Sequence, residues 1–248
     1  MDEVKCAIET VDLCKKYRSK TVVDKLNLSV QQGEIFALLG ENGAGKTTTI
    51  KMLSCLLPPT SGDAKIMGHS ILGNVTEIKQ LMNVSPQETA IAPNLTAKEN
   101  LELIAEIYGS TKVEARKKAD QMLTLFGVSS QANDRAKTFS GGMQRRLSIA
   151  MALITDPKIL FLDEPTLGLD VLARRELWHV IEKLKDNVTI ILTTHYLEEV
   201  EALSNRVAIL AKGKLKAIGT VEELMKKTNT KTFEDAFVAL ASESEVTK

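Results

Sequence analysis

Three stretches of the chain are apolar almost without a break: Glu34–Leu39, Lys158–Glu164 and Val188–Thr194. Each is too short for a typical helix and too uniform for a sheet face that meets water. Each therefore reads as a strand buried on both sides, the pattern of a parallel sheet, with Ile159–Asp163 as a central strand. Residues 4–30 differ: Ile8, Val22, Val23, Leu26, Leu28 and Val30 alternate with polar residues, with breaks near Arg18-Ser19-Lys20 and Gln31-Gln32-Gly33. Tyr17 falls at the first break. Pro58–Gly62 predicts a turn into a short strand pair ending near Met67-Gly68. Arg206–Leu210 and Lys214–Ile218 predict a hairpin about Lys212-Gly213.

Helical spacing appears between these runs. Ile50, Leu53 and Leu57 lie on one face, with Pro58-Pro59 as the stop. Ser70–Leu81 is weakly helical, and Val84–Gln87 reads as a strand end running into a loop. Thr96 and Glu99 form a capping-box pattern ahead of Leu101, Ile104 and Tyr108. Val113–Phe126 predicts a second helix with Ala119, Met122, Leu123 and Phe126 inward and Gly127 at its end. Further helices are expected over 171–186 and 196–204, and at the end where Phe233, Phe237 and Leu240 recur at helical spacing. Strands alternating with helices argue for an α/β domain with a mainly parallel sheet. No internal repeat or low-complexity segment is present.

Composition narrows the picture only a little. The chain has 248 residues, 44% of them hydrophobic, and a formal net charge of +0. That is a folded chain with a sizeable core and no global electrostatic attraction to nucleic acid. Cys6, Cys14 and Cys55 form no CxxC pair and read as reduced thiols. Met1–Lys5 shows no secretory leader, and no run reaches the ~18–20 apolar residues of a membrane-spanning helix.

Chemistry enters at Gly40-Glu41-Asn42-Gly43-Ala44-Gly45-Lys46-Thr47-Thr48. The stretch reads G-x-x-x-x-G-K-T between a buried strand and a helix, the Walker A phosphate loop. Its glycines allow backbone N–H groups to converge on an anion, and the helix start adds partial positive charge. Lys46 would reach the β- and γ-phosphates, and Thr47 would bind Mg²⁺. The run Ile159–Asp163 followed by Glu164 reads as Walker B. Asp163 would serve the Mg²⁺ shell, and Glu164 would act as general base toward the attacking water.

Phe139-Ser140-Gly141-Gly142-Met143-Gln144-Arg145-Arg146 resembles the signature of the ATP-binding cassette (ABC) ATPases, usually L-S-G-G-Q. Phe139 replaces the usual leucine and Met143 the usual glutamine. On that resemblance, Gln87 matches the Q-loop glutamine, a Mg²⁺ contact and a link to the membrane partner. Leu167-Gly168-Leu169-Asp170 matches the D-loop, His195 the switch histidine, and Tyr17 the aromatic that stacks on adenine. The catalytic group so implied is Glu164, His195, Gln87 and Lys46. The nucleotide contacts are Tyr17, Gly40, Asn42, Gly43, Ala44, Gly45, Lys46, Thr47, Thr48, Ser140, Gly141, Gly142 and Asp170. The metal ligands are Thr47, Gln87 and Asp163.

The resemblance implies a P-loop NTPase-type α/β core with an N-terminal antiparallel β-subdomain and an inserted α-helical subdomain. The expected layout is one ABC ATPase domain over 1–225, with a core lobe at about 1–86 and 156–225 and a helical lobe at about 87–155. A short helical tail would follow at 226–248. ATP and Mg²⁺ are the implied cofactors. The implied partners are a second copy or a related cassette, paired head to tail, and a separate transmembrane permease at the cytoplasmic face; no nucleic acid is expected. The Gly-Gly-Met-Gln-Arg-Arg stretch and Thr232–Leu240 look like the cassettes of daunorubicin-type drug, peptide or sodium exporters. The short tail leaves no room for the regulatory domain of sugar-importer cassettes. The alternative is a non-transport ABC ATPase acting on ribosomes or nucleic acid. Those usually carry tandem cassettes or long coiled coils, neither of which is read here. A P-loop GTPase or kinase is a third reading, disfavoured because no Asn-Lys-x-Asp is present.

Overall fold

The alternating N-terminal segment folds as antiparallel β-structure. In the computed structural model, which describes residues 6–242, β1 (Cys6–Tyr17) pairs with β2 (Lys20–Leu26) and β3 (Ser29–Gln31). Strand β4 (Ile35–Leu39), buried at every position, leads into α1 (Lys46–Leu53). Strands β5 (Ser61–Ile66) and β6 (His69–Ser70) complete the N-terminal sheet in the order β2-β1-β5-β6. Then come α2 (Val75–Leu81) and β7 (Met82–Ser85), followed by α3 (Ala97–Ile107), α4 (Lys112–Leu125) and α5 (Gly141–Leu153). Strand β8 (Ile159–Asp163), α6 (Val171–Glu182), β9 (Thr189–Thr194) and α7 (Leu197–Leu203) lead to the hairpin β10 (Arg206–Ala211) and β11 (Lys214–Gly219). Helices α8 (Val221–Thr228) and α9 (Phe233–Ser242) close the described chain. The Met1–Lys5 stretch and the polar residues after Ser242 lie outside the described residues.

The three apolar runs are neighbours in one six-stranded sheet, β11-β10-β4-β9-β8-β7. All its pairings are parallel except β10 with β11. Two apolar clusters cover the sheet's faces. Phe36, Leu38, Phe161 and Ile191 pack toward the N-terminal sheet and α1; Ile35, Leu160, Leu162 and Leu192 pack toward α5 and the C-terminal helices. This alternation explains why the runs show no polar face. The cysteines are free.

Several expectations shift. Helix α1 ends at Leu53, before the prolines, because Ser54 caps it and Cys55 turns to a φ of +56°. Leu57 is therefore not on that helix. The β5–β6 pair turns at Met67-Gly68 rather than ending there, and Ser70 belongs to β6, so α2 starts only at Val75. Tyr108 caps α3 and is exposed instead of continuing its buried face. Strand β8 is interior but next to the edge strand β7, not at the sheet's centre. Helix α8 was not foreseen, although Thr220 and Glu223 form a complete capping box that announces it. A cut at 225/226 would fall inside α8. Helix α9 packs on the core, with Phe233, Ala236 and Leu240 buried.

Candidate active site

Strand β4 delivers Gly40 to the rim of the sheet, and the loop beyond it is held tightly. A Cβ at Gly40 would lie 2.3 Å from the Leu210 carbonyl oxygen, and one at Gly45 2.7 Å from that of Val22. Gly45 also takes a φ of +101°, which disfavours any side chain there. The Ala44 N–H closes a turn on the Glu41 carbonyl at 3.1 Å. Lys46 then opens α1, whose first-turn N–H groups have no partner within the helix and face the loop.

Lys46, at the end of the loop, and Glu164, the residue after β8, meet in one cleft of about 290 Å³. Asn42, Gly43, Ala44, Gly45, Lys46, Thr47, Thr48, Gln87, Glu164 and His195 line it, with Val22 and Leu167. Lys46 is 5% exposed. Its Nζ donates to the carbonyls of Gly40 (2.7 Å) and Glu41 (3.3 Å) and lies 3.2 Å from Glu164 Oε1. The other Glu164 oxygen, Oε2, is 2.7 Å from His195 Nδ1. One buried carboxylate is thus held between a lysine and a histidine.

Thr193 on β9 sets both acids. Its hydroxyl donates to Asp163 Oδ1 at 2.5 Å, and Thr47 donates to the same oxygen at 3.1 Å. The Glu164 N–H donates to the Thr193 carbonyl (3.1 Å) and Oγ1 (3.0 Å). Glu164 adopts a φ of +49°, a conformation that costs a non-glycine residue about 1–3 kcal/mol. Pro165, which follows, also disfavours the right-handed helical alternative. The strain turns the Glu164 carboxylate into the cleft while Asp163 stays on the strand.

Not every residue singled out from sequence arrives there. Ser140, Gly141 and Gly142 stand at the start of α5, outside the lining of this cleft. Ser140 is exposed and its hydroxyl caps α5 through the Met143 N–H. Asp170 caps α6, accepting from the Leu172 and Ala173 N–H groups at 2.9 Å each, and does not line the cleft. Tyr17, at the end of β1, is 47% exposed with the Lys15 ammonium 5.4 Å from its ring centre. It stands apart from the lining, whereas Val22 of the same hairpin contributes to it. Gly40 borders a neighbouring cavity shared with Glu41, Asn42, His195 and Phe237.

Sequence reasoning missed two residues that organise this region. Thr193 was noted only as part of an apolar strand. Arg145 lies within the signature stretch, where sequence assigns it no role, yet its buried guanidinium donates to the carbonyls of Asp163 and Pro165 (2.8 Å each), Gln87 (3.2 Å) and Pro86. Gln144 and Arg146 flank Arg145 in the chain, so no local pattern marks it as the buried cation.

The sequence pattern of the ABC transporter family matches residues 23–167. The chain belongs to that family. It is an ATP-binding and ATP-hydrolysing subunit of a transporter. It is 42% identical over 218 residues to the linearmycin resistance ATP-binding protein LnrL of Bacillus subtilis, covering 88% of this chain and 70% of that one. It is 40% identical over 219 residues to the daunorubicin/doxorubicin resistance ATP-binding protein DrrA of Streptomyces peucetius, spanning 66% of that relative's length. Among solved structures it is similar to a dimeric ATP-binding cassette in a post-hydrolysis state with ADP and phosphate bound. There the TM-score is 0.78 at 27% identity, over 86% of this chain and 98% of that one. The ABC fold accounts for the parallel core sheet with an antiparallel N-terminal sheet and the helices α3–α5 between β7 and β8. No helix among the described residues is long and apolar enough to cross a membrane.

Proposed function

We propose that this ABC ATPase drives an exporter as one of a head-to-tail pair of cassettes, on the cytoplasmic face of a separate transmembrane permease. One observation carries the pairing. The cleft that gathers Lys46, Glu164, Gln87 and His195 lacks the Ser140–Gly142 segment, which starts helix α5 with Ser140 and Gly141 exposed. A second cassette would supply that segment, its serine hydroxyl and bare backbone N–H groups closing over the triphosphate. Similarity to a cassette solved as a dimer supports the pairing, and similarity to two proteins named for drug resistance supports export. Helices α3 and α4 expose Leu103, Ile107 and Val113, a surface suited to a permease.

The cleft suggests how the residues act. At rest, Glu164 is held by Lys46 and His195. An arriving triphosphate offers Lys46 a more highly charged partner, so Lys46 transfers to the β- and γ-phosphates and Glu164 Oε1 is released. That oxygen then takes the proton of the attacking water, while His195 keeps the other oxygen oriented. The oxygen donors of Thr47, Asp163 and Gln87 suit Mg²⁺, a hard cation that prefers a few protein oxygens plus phosphates. When bound, the ion would offset charge on the phosphates. Tyr17 presents a half-exposed ring on the hairpin that bears Val22 and would stack on adenine once a nucleotide occupies the cleft. Asp170 fixes the start of α6 beside the second cassette. Hydrolysis removes the γ-phosphate that bridges the two cassettes, and the pair reopens.

Affinity purification of the chain from its native membranes tests the reading. A copurifying polytopic membrane protein is expected. Recovery with ribosomes or nucleic acid, and no membrane protein, would replace it with the non-transport alternative.

A further inference from the structure

The Arg145 guanidinium lies between three parts of the chain that are far apart in sequence. It is 4% exposed, on the second turn of α5, the helix that Ser140 caps. Its Nε donates to the Pro165 carbonyl at 2.8 Å and its Nη2 to the Asp163 carbonyl at 2.8 Å. Its Nη1 donates to the Pro86 carbonyl and, at 3.2 Å, to that of Gln87. None of these acceptors is a carboxylate, and among the described residues the guanidinium has no ion pair within contact distance. Burial pulls its pKa down to about 10 against the opposing pull of Asp163, Glu199 and Glu164, so it stays charged at neutral pH.

A buried cation that spends its donors on backbone carbonyls fixes main-chain geometry. A planar fork can hold two loops at set spacing, whereas the three donors of an ammonium radiate from a single nitrogen on a flexible stem and do not span two loops in a fixed geometry. The carbonyls it holds flank the residues that face the nucleotide. Pro86 and Gln87 form the loop that leaves β7, and Asp163 and Pro165 bracket Glu164.

We propose that Arg145 is a positioning residue for ATP hydrolysis, locking the Gln87 loop and the Glu164 turn onto helix α5. A movement of α5, whose N-terminus carries Ser140, is then passed as one body to Gln87 and Glu164. Engagement of Ser140 by a nucleotide and alignment of the base thereby become a single event. This inference rests on the assignment of Glu164 and Gln87 as site residues.

The test compares Arg145→Gln, Arg145→Lys and Gln87→Ala, each with the double variant, in steady-state ATPase assays and ATP titrations. We expect Arg145→Gln to lower kcat by about ten-fold or more with the nucleotide Kd nearly unchanged, the mark of lost alignment rather than lost binding. Arg145→Lys should fail to restore the rate, because charge without the fork does not hold both loops. The double variant with Gln87→Ala should be no slower than the slower single one. Wild-type kcat in Arg145→Gln, full rescue by lysine, or additive losses would each overturn the proposal. If Arg145→Gln does not fold, Arg145→Lys and its pairing with Gln87→Ala decide by the same criteria; if neither folds, Arg145 is purely structural and the proposal fails. Wild-type turnover in both Gln87→Ala and Glu164→Gln would instead remove the underlying site assignment.

Discussion

Replacing Glu164 with glutamine separates two effects that one carboxylate combines. In the resting cleft this 7%-exposed side chain holds Lys46 Nζ at 3.2 Å and His195 Nδ1 at 2.7 Å. At an effective dielectric constant of 20, the Lys46 contact is a gross attraction of about 5 kcal/mol before desolvation is subtracted. Removing one partner of such a buried pair destabilises a fold by about 3–5 kcal/mol. The carbonyls of Gly40 and Glu41 remain to hold the ammonium, so the loss should fall at the lower end of that range. The triphosphate no longer has to displace a carboxylate from Lys46. Nucleotide affinity should therefore be kept or improved, by up to about ten-fold, which corresponds to 1.4 kcal/mol of the released attraction. Hydrolysis moves the other way: loss of a general base costs about 10²–10⁴ in rate, or about 2.7–5.4 kcal/mol in the barrier. The assays are single-turnover hydrolysis, fluorescence titration with ATP and urea unfolding without nucleotide. The expected combination is a lowered unfolding midpoint, undiminished affinity, slow turnover and an ATP-bound dimer that persists. Wild-type turnover would refute Glu164 as the base, and weakened affinity would refute its competition with the phosphates.

Lys46→Ala should weaken ATP binding by about ten-fold or more, since it removes the buried cation of the cleft; unchanged affinity by titration contradicts the phosphate role. Ser140→Arg should leave binding to the single cassette intact and prevent the closed pair, read by solution scattering with ATP. Closure that survives the substitution rules out the head-to-tail arrangement. Glu199→Gln probes pH dependence. Burial raises the Glu199 pKa above its ordinary 4.5, and the side chain is fully enclosed with the Trp178 indole N–H donating to it at 3.3 Å. Below 4.5 both folded and unfolded chains hold the proton; above it the unfolded chain releases it first. Its contribution to stability is therefore lost as pH rises from 4.5 through the raised folded value. Glu199→Gln should flatten that fall in urea midpoints, and parallel slopes for the two proteins would contradict the assignment.

Patterns local in sequence were the readable ones. The phosphate loop, the acid pair after Ile159–Leu162 and the capping box at Thr96 each depend on residues a few positions apart. Their physics, backbone freedom, period and capping, acts over that range. The same logic would have found α8 from Thr220 and Glu223. The length of α1 was misjudged because apolar spacing continued to Leu57, while the left-handed turn at Cys55 stopped the helix sooner. Asp170 was legible as part of a motif, but its capping of α6 only emerged with the helix in place.

By itself the sequence determined that a phosphate-binding strand–loop–helix, a buried acidic strand end and a serine–glycine helix start exist on one α/β chain. Only the tertiary structure decided which of them share a cleft. Strand order put β9 between β4 and β8, so Thr193 could hold Asp163 and the Glu164 turn beside Lys46. Helix packing sent Arg145 inward to carbonyls on both sides of Glu164 and left Ser140 facing solvent. The reason is range: propensity and periodicity act between near neighbours, whereas hydrogen bonds between Thr193 and Asp163, or Arg145 and Pro86, join residues that only the packing of the sheet and its helices brings together.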